Sequence, residues 1–322
     1  MRAPRATLPP GRTGRRTVAG RWCLLDQVGA GATASVWRAR DLHTGGLVAV
    51  KVLGAHTGAL MARFFREQEI RLRHPHLLTA TGWAAEEDVV LLTTDLVTGG
   101  TVRALLAEHG PLPEPVVARI LQQTLRALAV VHAAGLVHRD VKPGNLLLEG
   151  RDDGGIHVRL GDFGVALDPS APRLTVAGPV GTEGYLPPDA TLTPDLRHDL
   201  YAVGVLGLHL LTARRPHPGG PTDPGSPWPP TRLRALLERL VAPRADDRPD
   251  SAGHALALLE SLAIEAPQGA WVRDCLGPAP DEVAALAHRV HERRVRLTSA
   301  AVLLASGAVI GGCATFLRVL LG

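Results

Sequence analysis

The sequence predicts an α+β fold built as two lobes with a cleft between them. Short β-rich runs broken by glycine clusters occupy residues 21–97, and long helical patterns occupy residues 98–265. No internal repeat relates the two stretches. A strand-rich front and a helical back indicate two packed lobes, and the seam between such lobes is where ligands commonly bind.

The first lobe is predicted to hold a small sheet and one helix. Its strands are RWCLLDQV (21–28), ASVWRARD (34–41), LVAVKVL (47–53) and VVLLTTDLV (89–97). The stretch LMARFFREQEIRLR (60–73) carries apolar residues at helical spacing with charges between them, so it is predicted to be the helix.

The second lobe is predicted to be helical. PEPVVARILQQTLRALAVVHAAG (113–135) is amphipathic, opens with prolines and stops at a glycine. LYAVGVLGLHLLT (200–212) is almost wholly apolar, which predicts a buried helix. Shorter helices are predicted in TVRALLAEHG (101–110), TRLRALLERLV (231–241) and SAGHALALLESL (251–262).

Composition narrows the class of protein. Residues 1–20 are basic and rich in proline and glycine, which predicts a disordered tail; a nucleic-acid-binding arm is the alternative, and no nucleic-acid partner is expected. The tail lacks the apolar stretch of a signal peptide. Cys23, Cys275 and Cys313 are far apart and without CxxC spacing, so they are predicted to be ordinary thiols.

The chain contains only two lysines, Lys51 and Lys142, among 35 lysines and arginines. Each lysine is therefore a candidate for a position that needs a compact ammonium rather than a planar guanidinium. Lys51 ends the run VAVK, fifteen residues after Val36 of the glycine-rich turn VGAGATASV. Gly29 and Gly31 would let backbone N–H groups approach phosphates, and Lys51 could neutralise their charge. A dinucleotide-binding turn is disfavoured because a strand follows it.

The segments HRDVKPGN and RLGDFGVA carry the groups needed for phosphoryl transfer. Asp140 can accept a hydroxyl proton, and Lys142 can offset charge on a phosphoryl group in flight. Asn145 offers an oxygen to a divalent metal, and Asp162 follows an apolar strand and can be a second oxygen ligand for magnesium.

These motifs resemble the protein-kinase family. GAGATASV, VAVK, HRDVKPGN, DFG, GTEGYLPPD, HDLYAVG and DDRP follow the family's order over about residues 21–262. The chain is most similar to the eukaryotic-like (Hanks-type) Ser/Thr protein kinases of bacteria. The resemblance implies a bilobal protein-kinase fold, ATP and Mg²⁺ as cofactors, and protein substrates.

The resemblance also implies a role for each matching residue. Lys51 would hold the α- and β-phosphates of ATP, Asp140 would be the catalytic base, and Lys142 would stabilise the transferring phosphate. Asn145 and Asp162 would bind magnesium. The nucleotide would also be lined by Val28, Gly29, Ala30, Gly31, Val36, Ala49, Thr94, Asp95, Val97 and Leu147.

Several of these assignments define the cleft and the substrate. Thr94 resembles the gatekeeper residue, and residues 95–97 resemble the hinge that binds adenine through its backbone. Thr182 is expected to touch Asp140 and Lys142, as in Ser/Thr kinases. Asp199 is expected to anchor the backbone of the catalytic loop.

The segment 162–189 resembles an activation loop. Arg139 precedes the catalytic base, an arrangement associated with control by loop phosphorylation. Thr175 is predicted as the first phosphate acceptor and Ser170 as the second; a loop that is ordered without modification is the alternative.

The chain departs from the family pattern at three places. Ala34 stands where the loop usually has its third glycine, and Asp189 stands where a glutamate usually pairs with Arg248. The glutamate that should pair with Lys51 is predicted to be Glu67, although its spacing to the following HPHLL is short. Glu69 remains the alternative.

The C-terminal end predicts a membrane anchor. Residues 297–317 carry no charge over a length that spans about 30 Å as a helix. Arginines crowd the preceding linker and juxtamembrane segment (266–296), so the kinase is predicted to face the cytoplasm, with residues 318–322 outside. A core helix is the alternative. Gly307 and Gly311 have the spacing of a helix-dimer motif, which predicts a possible homodimer.

The sequence thus predicts a single-pass cell-membrane Ser/Thr protein kinase, acting in signalling, that phosphorylates proteins and itself. A pseudokinase scaffold that binds nucleotide or partners without transfer is the main alternative. A small-molecule phosphotransferase of related fold is the second.

Overall fold

The computed structural model of the chain describes residues 17–30, 34–53, 72–86, 89–163, 182–191, 193, 195–217 and 229–282. The chain divides into two compact units, residues 1–276 and residues 277–322. Of the second unit only residues 277–282 are described.

A six-stranded antiparallel sheet forms the first lobe, with strand order β1-β2-β3-β4-β6-β5. Its strands are β1 (Thr17–Val18), β2 (Trp22–Ala30), β3 (Ala34–Asp41), β4 (Leu47–Leu53), β5 (Gly82–Glu86) and β6 (Val89–Asp95). The four predicted strands are confirmed within about two residues. β1 lies inside the predicted tail, where the fully buried Val18 pairs with Trp22.

Side chains alternate along each strand, so one face of the sheet packs into a core and the other faces the second lobe. One face packs into a core made by Val18, Trp22, Leu24, Ala39, Val50, Val52 and Leu91. Val36 lies opposite Lys51, which shares its face of β4 with Ala49. Val50 and Val52 point to the core, so Ala49 and Lys51 point to the other side, where Lys51 meets Asp162 of the second lobe across the cleft.

The second lobe is mainly helical, as predicted. Its described helices are α1 (Val102–His109), α2 (Glu114–Ala133), α3 (Leu196–Thr212), α4 (Arg234–Leu240) and α5 (Ala252–Ser261). A short antiparallel hairpin, β7 (Leu146–Leu148) and β8 (Val158–Leu160), adds two strands. The apolar α3 is buried along most of its length, which confirms the prediction of a buried helix.

A fully buried arginine, Arg248, ties the connection between α4 and α5 to the loop that precedes α3. Arg248 donates from Nη2 to Asp189 Oδ1 at 2.7 Å and to the Pro243 carbonyl at 2.9 Å, and from Nε to the Ala242 carbonyl at 2.8 Å. The second oxygen of Asp189 accepts from the N–H of Ala245 at 2.7 Å. Asp189 therefore reaches Arg248 although its side chain is one methylene shorter than that of the usual glutamate. This ion pair compensates the cost of burying the guanidinium charge.

Three histidines meet where the first lobe joins β8. His76 contacts His74 and His157, with ring centroids 5.5 and 4.7 Å apart. Each ring is hydrogen-bonded to backbone, and His76 donates from Nδ1 to the Val158 carbonyl at 2.9 Å. Burial, together with the nearby His157, His74 and Arg126, lowers the pKa of His76 to about 4, although the hydrogen bond to the Val158 carbonyl opposes the shift. Burial also lowers the pKa of His74, so the surroundings of His74 and His76 favour neutral imidazoles.

None of the helices in the described part of the chain combines the length and the apolar character needed to cross a membrane. The predicted span, residues 297–317, lies outside the described residues, as do Gly307 and Gly311.

The histidine cluster should make folding stability depend on pH. An unfolded His76 titrates near 6.5, whereas the folded group titrates near 4. As the pH falls through this window, the unfolded state takes up a proton that the folded state does not, so the free energy of unfolding falls. His76→Asn should flatten that decline in denaturant titrations between pH 7.5 and 4.5.

The control is His43→Asn, which changes an exposed imidazole on the β3–β4 turn and should keep the decline of the parent chain. Equal pH dependence in the parent and His76→Asn proteins would contradict the assignment.

Candidate functional site

The residues of HRDVKPGN form a loop between α2 and β7, which we call the HRD loop (residues 138–145). Within it Lys142 Nζ donates to Asp140 Oδ2 at 2.7 Å. Thr182 completes a closed triangle, because its hydroxyl donates to Asp140 Oδ1 at 2.6 Å and accepts from Lys142 Nζ at 2.8 Å. The predicted contact of Thr182 with both residues is therefore confirmed.

Asn145 fixes the same carboxylate and leads into the hairpin. Its Nδ2 donates to Asp140 Oδ2 and to the Asp140 carbonyl, both at 2.8 Å. Its own carbonyl accepts from the N–H of Gly161 at 2.9 Å. Because Asn145 precedes β7 and Asp162 follows β8, antiparallel pairing brings both to one end of the hairpin.

Lys51 reaches across the cleft to Asp162. Lys51 Nζ lies 3.0 Å from Asp162 Oδ1, and the two side chains are 25% and 47% exposed. Partial burial raises the pKa of Asp162, but attraction to the Lys51 ammonium and its hydrogen bond outweigh it, so the pKa lies below its ordinary value. The carboxylate is therefore ionised near neutral pH.

Asp199, near the start of α3, holds the backbone of the HRD loop. Its carboxylate accepts from the N–H of His138 at 2.8 Å and of Arg139 at 2.7 Å, and from His132 Nε2 at 2.8 Å. Burial raises the pKa of Asp199, but the hydrogen bonds and charge of His132, with the surrounding donors, bring it below its ordinary value. The predicted anchor is confirmed, whereas the contribution of His132 was not predicted.

His138 connects the HRD loop to the residue before Asp162. Its Nδ1 accepts from the N–H of Asp140 at 3.3 Å, which leaves Nε2 protonated to donate to the Gly161 carbonyl at 3.2 Å. Its ring packs edge-on against Phe163 with centroids 4.9 Å apart. This role of His138 was not predicted from the sequence.

Two residues of the site hold left-handed backbone. Arg139 has φ 69° and Asp162 has φ 65°. Non-glycine residues in this region are strained by about 1 to 3 kcal/mol and persist where surrounding contacts determine them. For Arg139 that contact is the hydrogen bond from its N–H to the Asp199 carboxylate. For Asp162 the backbone is fixed at the preceding residue, Gly161, which is hydrogen-bonded to His138 and Asn145.

The predicted nucleotide-lining residues occupy four adjacent strands of the first lobe and one strand of the second. Val28, Gly29 and Ala30 lie on β2, Val36 on β3, Ala49 on β4, Thr94 and Asp95 on β6, and Leu147 on β7. Gly29 lies opposite Val36, and Ala49 lies opposite Thr94. Val97 follows β6 and is buried.

Five predicted site residues lie outside the described part of the chain: Gly31, Glu67, Glu69, Ser170 and Thr175. The assignments of the Lys51 partner and of the phosphate acceptors stay predictions.

Asn145 and Asp162 are chemically suited to hold magnesium. The amide nitrogen of Asn145 is committed to Asp140, which leaves its oxygen available as a ligand, and the Asp162 carboxylate is ionised. Clusters of three or more His, Cys, Asp or Glu able to bind a metal do not occur among the described residues. A two-residue site is of the kind that Mg²⁺ completes with water and substrate phosphates.

Replacing Asp199 by asparagine should destabilise the folded protein, because the HRD loop would lose its buried acceptor. An NH₂ group would face backbone donors that need an acceptor, so the free energy of unfolding should fall by about 3 kcal/mol. Asp195→Asn is the matched control, since Asp195 caps α3 by accepting from the Arg197 N–H and asparagine caps equally well. Equal denaturation midpoints for the two variants would contradict this role of Asp199.

Comparison with known proteins extends the resemblance. Residues 22–226 match the family model described as the protein kinase domain. Serine/threonine-protein kinase PkaA of Streptomyces coelicolor is 35% identical over 266 residues, which cover 73% of this chain and 49% of that protein. PknL of Mycobacterium bovis is 37% identical over 207 residues (62% and 51%), and pkn3 of Myxococcus xanthus is 33% identical over 281 residues (78% and 51%).

The chain spans about half the length of these curated relatives, all three of which are named serine/threonine-protein kinases. The family match covers more than half of the chain and includes the glycine-rich turn, Lys51, the HRD loop and Asp162. With the bilobal fold and the contacts around Asp140, this match shows that the chain belongs to the protein kinase family.

Proposed function

We propose that this chain is a Ser/Thr protein kinase that transfers the γ-phosphate of MgATP to hydroxyl groups of proteins. One observation carries the proposal: Asp140 Oδ1 and Oδ2 are held by Thr182, Lys142 and Asn145, while Lys51 meets Asp162 across the cleft. A proton acceptor and a fixed ammonium thus lie in one site, and an ionised carboxylate and a second ammonium meet across the cleft beside it.

Asp140 is proposed to act as the catalytic base. Its Oδ1 accepts one hydrogen bond, from Thr182, so a lone pair remains for the acceptor hydroxyl. As the hydroxyl oxygen bonds to the γ-phosphorus, its proton passes to Asp140. The bond from phosphorus to the bridging oxygen of ADP breaks in the same displacement.

Lys142, Lys51 and the metal ligands are proposed to balance the charge of the phosphates. Lys142 is held beside Asp140, where an ammonium can stabilise the transferring group. Lys51 would release Asp162 in part and bind the α- and β-phosphates. Magnesium held by Asn145 and Asp162 would supply positive charge against the remaining phosphate oxygens.

The acceptor class is proposed from Thr182 and Lys142. The Thr182 hydroxyl donates to Asp140 and accepts from the Lys142 ammonium, which is the contact that the resemblance to Ser/Thr kinases predicts. The relatives' names support a serine or threonine acceptor for this chain. We also propose that the kinase phosphorylates its own Thr175 or Ser170. Residues 297–317 are proposed to anchor it to the membrane with the kinase domain in the cytoplasm, and Gly307 and Gly311 are proposed to allow a homodimer.

Two variants test the transfer reaction in the full-length chain. Asp140→Asn removes the proton acceptor and should lower the rate of phosphate transfer to a generic protein by about 100-fold or more, with nucleotide still bound. Lys51→Met removes a phosphate-binding ammonium and should lower the rate by a similar factor. Both rates are measured as the incorporation of label from γ-labelled ATP into protein in the presence of magnesium. Peptide mapping of the labelled chain then shows whether residues 162–182 carry phosphate.

Asp153→Asn, an exposed change on the β7–β8 turn, is the control and should keep the parental rate. A parent chain that binds nucleotide but transfers no label would contradict the kinase proposal and favour a scaffold. Label without phosphate in residues 162–182 would contradict loop phosphorylation alone.

The proposed anchor has its own test. The full-length chain should remain in the membrane pellet after a carbonate wash, because burying 21 uncharged residues holds it independently of surface charge. A chain lacking residues 297–317 should be released. Release of both proteins would contradict the anchor.

A further inference from the structure

Residues 268–276 follow helix α5, have no regular secondary structure and end the first compact unit; we call them the C-terminal strap. The sequence predicts a linker here, yet the strap has a buried anchor. Val272 is only 4% exposed and belongs to the main hydrophobic core. Trp271 packs against the same core and lies 5.3 Å from the ring of His109.

Backbone hydrogen bonds fasten the strap at both ends. The N–H groups of Trp271 and Val272 donate to the Gly154 carbonyl at 2.8 and 3.0 Å. Farther along, the N–H of Cys275 donates to the Thr98 carbonyl at 2.8 Å. The strap therefore joins the β7–β8 turn to the segment directly after the predicted hinge.

Two glycines leave the space that the strap occupies. A Cβ on Gly99 would overlap Val272 Cγ1 and the Leu148 carbonyl. Gly154 holds a left-handed φ of 64°, and a Cβ there would overlap Ala270. Both partners of the strap are thus shaped for close backbone approach, which indicates that its seat is part of the fold.

The strap contacts the backbone next to two segments that are predicted to line the nucleotide, the hinge and β7. Residues 98–100 continue from the hinge, and Gly99 and Gly100 exchange backbone hydrogen bonds with Leu148 at 2.8 and 2.9 Å. Leu148 follows Leu147, which is predicted to line the pocket and pairs with Thr101. Movement of the strap would therefore loosen the hinge side and the β7 side together.

We propose that the C-terminal strap is a positioning element that sets the affinity of the cleft for ATP. The inference rests on the proposed function, because it assigns the nucleotide to this cleft. Neither Val272 nor Cys275 touches the reacting groups described above. The strap is thus expected to change nucleotide binding and to leave the transfer step itself unchanged.

The test uses the full-length chain and compares neighbouring residues of the strap. Val272→Asp places a charge in the buried seat and should raise both the Kd for MgADP and the KM for ATP by about tenfold. The kcat at saturating ATP should change less than about twofold. Val272→Ala, which keeps the seat apolar, should raise the same constants by about threefold and serves if the aspartate variant does not fold.

Arg273→Ala is the matched control, because this side chain is 77% exposed and its ion pair among the described residues is with the exposed Glu108. It should bind MgADP as the parent does. Hydrogen exchange should also show faster exchange of the Gly99 and Cys275 amides in Val272→Ala than in Arg273→Ala.

Parental nucleotide affinity in Val272→Ala and in any folded Val272→Asp would overturn the strap proposal and leave the kinase proposal intact. A loss of kcat with unchanged KM would also overturn it. A parent chain that binds no MgADP would overturn the kinase proposal, and the strap inference with it.

Discussion

The arrangement of the site depends on one buried carboxylate that takes no part in the proposed chemistry. Asp199 accepts hydrogen bonds from two consecutive backbone N–H groups of the HRD loop and from His132. These contacts hold Arg139 in a left-handed conformation that a non-glycine residue would otherwise avoid. Because Asp140 is the next residue, the direction of its side chain follows from this constraint. The rigid core helix α3 thereby fixes the position of the proposed base.

The other groups of the site are held in place by short hydrogen bonds that begin at Asp140. Lys142, Asn145 and Thr182 each bond to its carboxylate, and Asn145 and His138 both bond to the backbone of Gly161. Asp162 follows directly and meets Lys51 from the other lobe. Each group is held by a neighbour whose own position is already determined. A change at one of them is therefore expected to affect the others in a non-additive way.

Much of this could be predicted from the sequence. The two lysines were identified by their rarity, and the long helices by their apolar spacing. The strand β7 has only three residues, and β5 reads GWAAE with no alternation, so local pattern could not identify either. His132, His138 and the strap act through contacts between residues distant in sequence. Val272 looks like any valine of a linker until Gly99 is seen to leave room for it, as Gly154 does for Ala270.

The central claim is that Lys51, Asp140, Asn145 and Asp162 converge on a single MgATP molecule. The most direct measurement is an experimental structure of the chain with magnesium and a non-hydrolysable ATP analogue. We expect Asn145 and Asp162 to coordinate the same magnesium ion, Lys51 to contact the α- and β-phosphates, and Asp140 to face the γ-phosphate. A nucleotide bound outside the cleft, or an Asp140 carboxylate turned away from the γ-phosphate, would contradict the account.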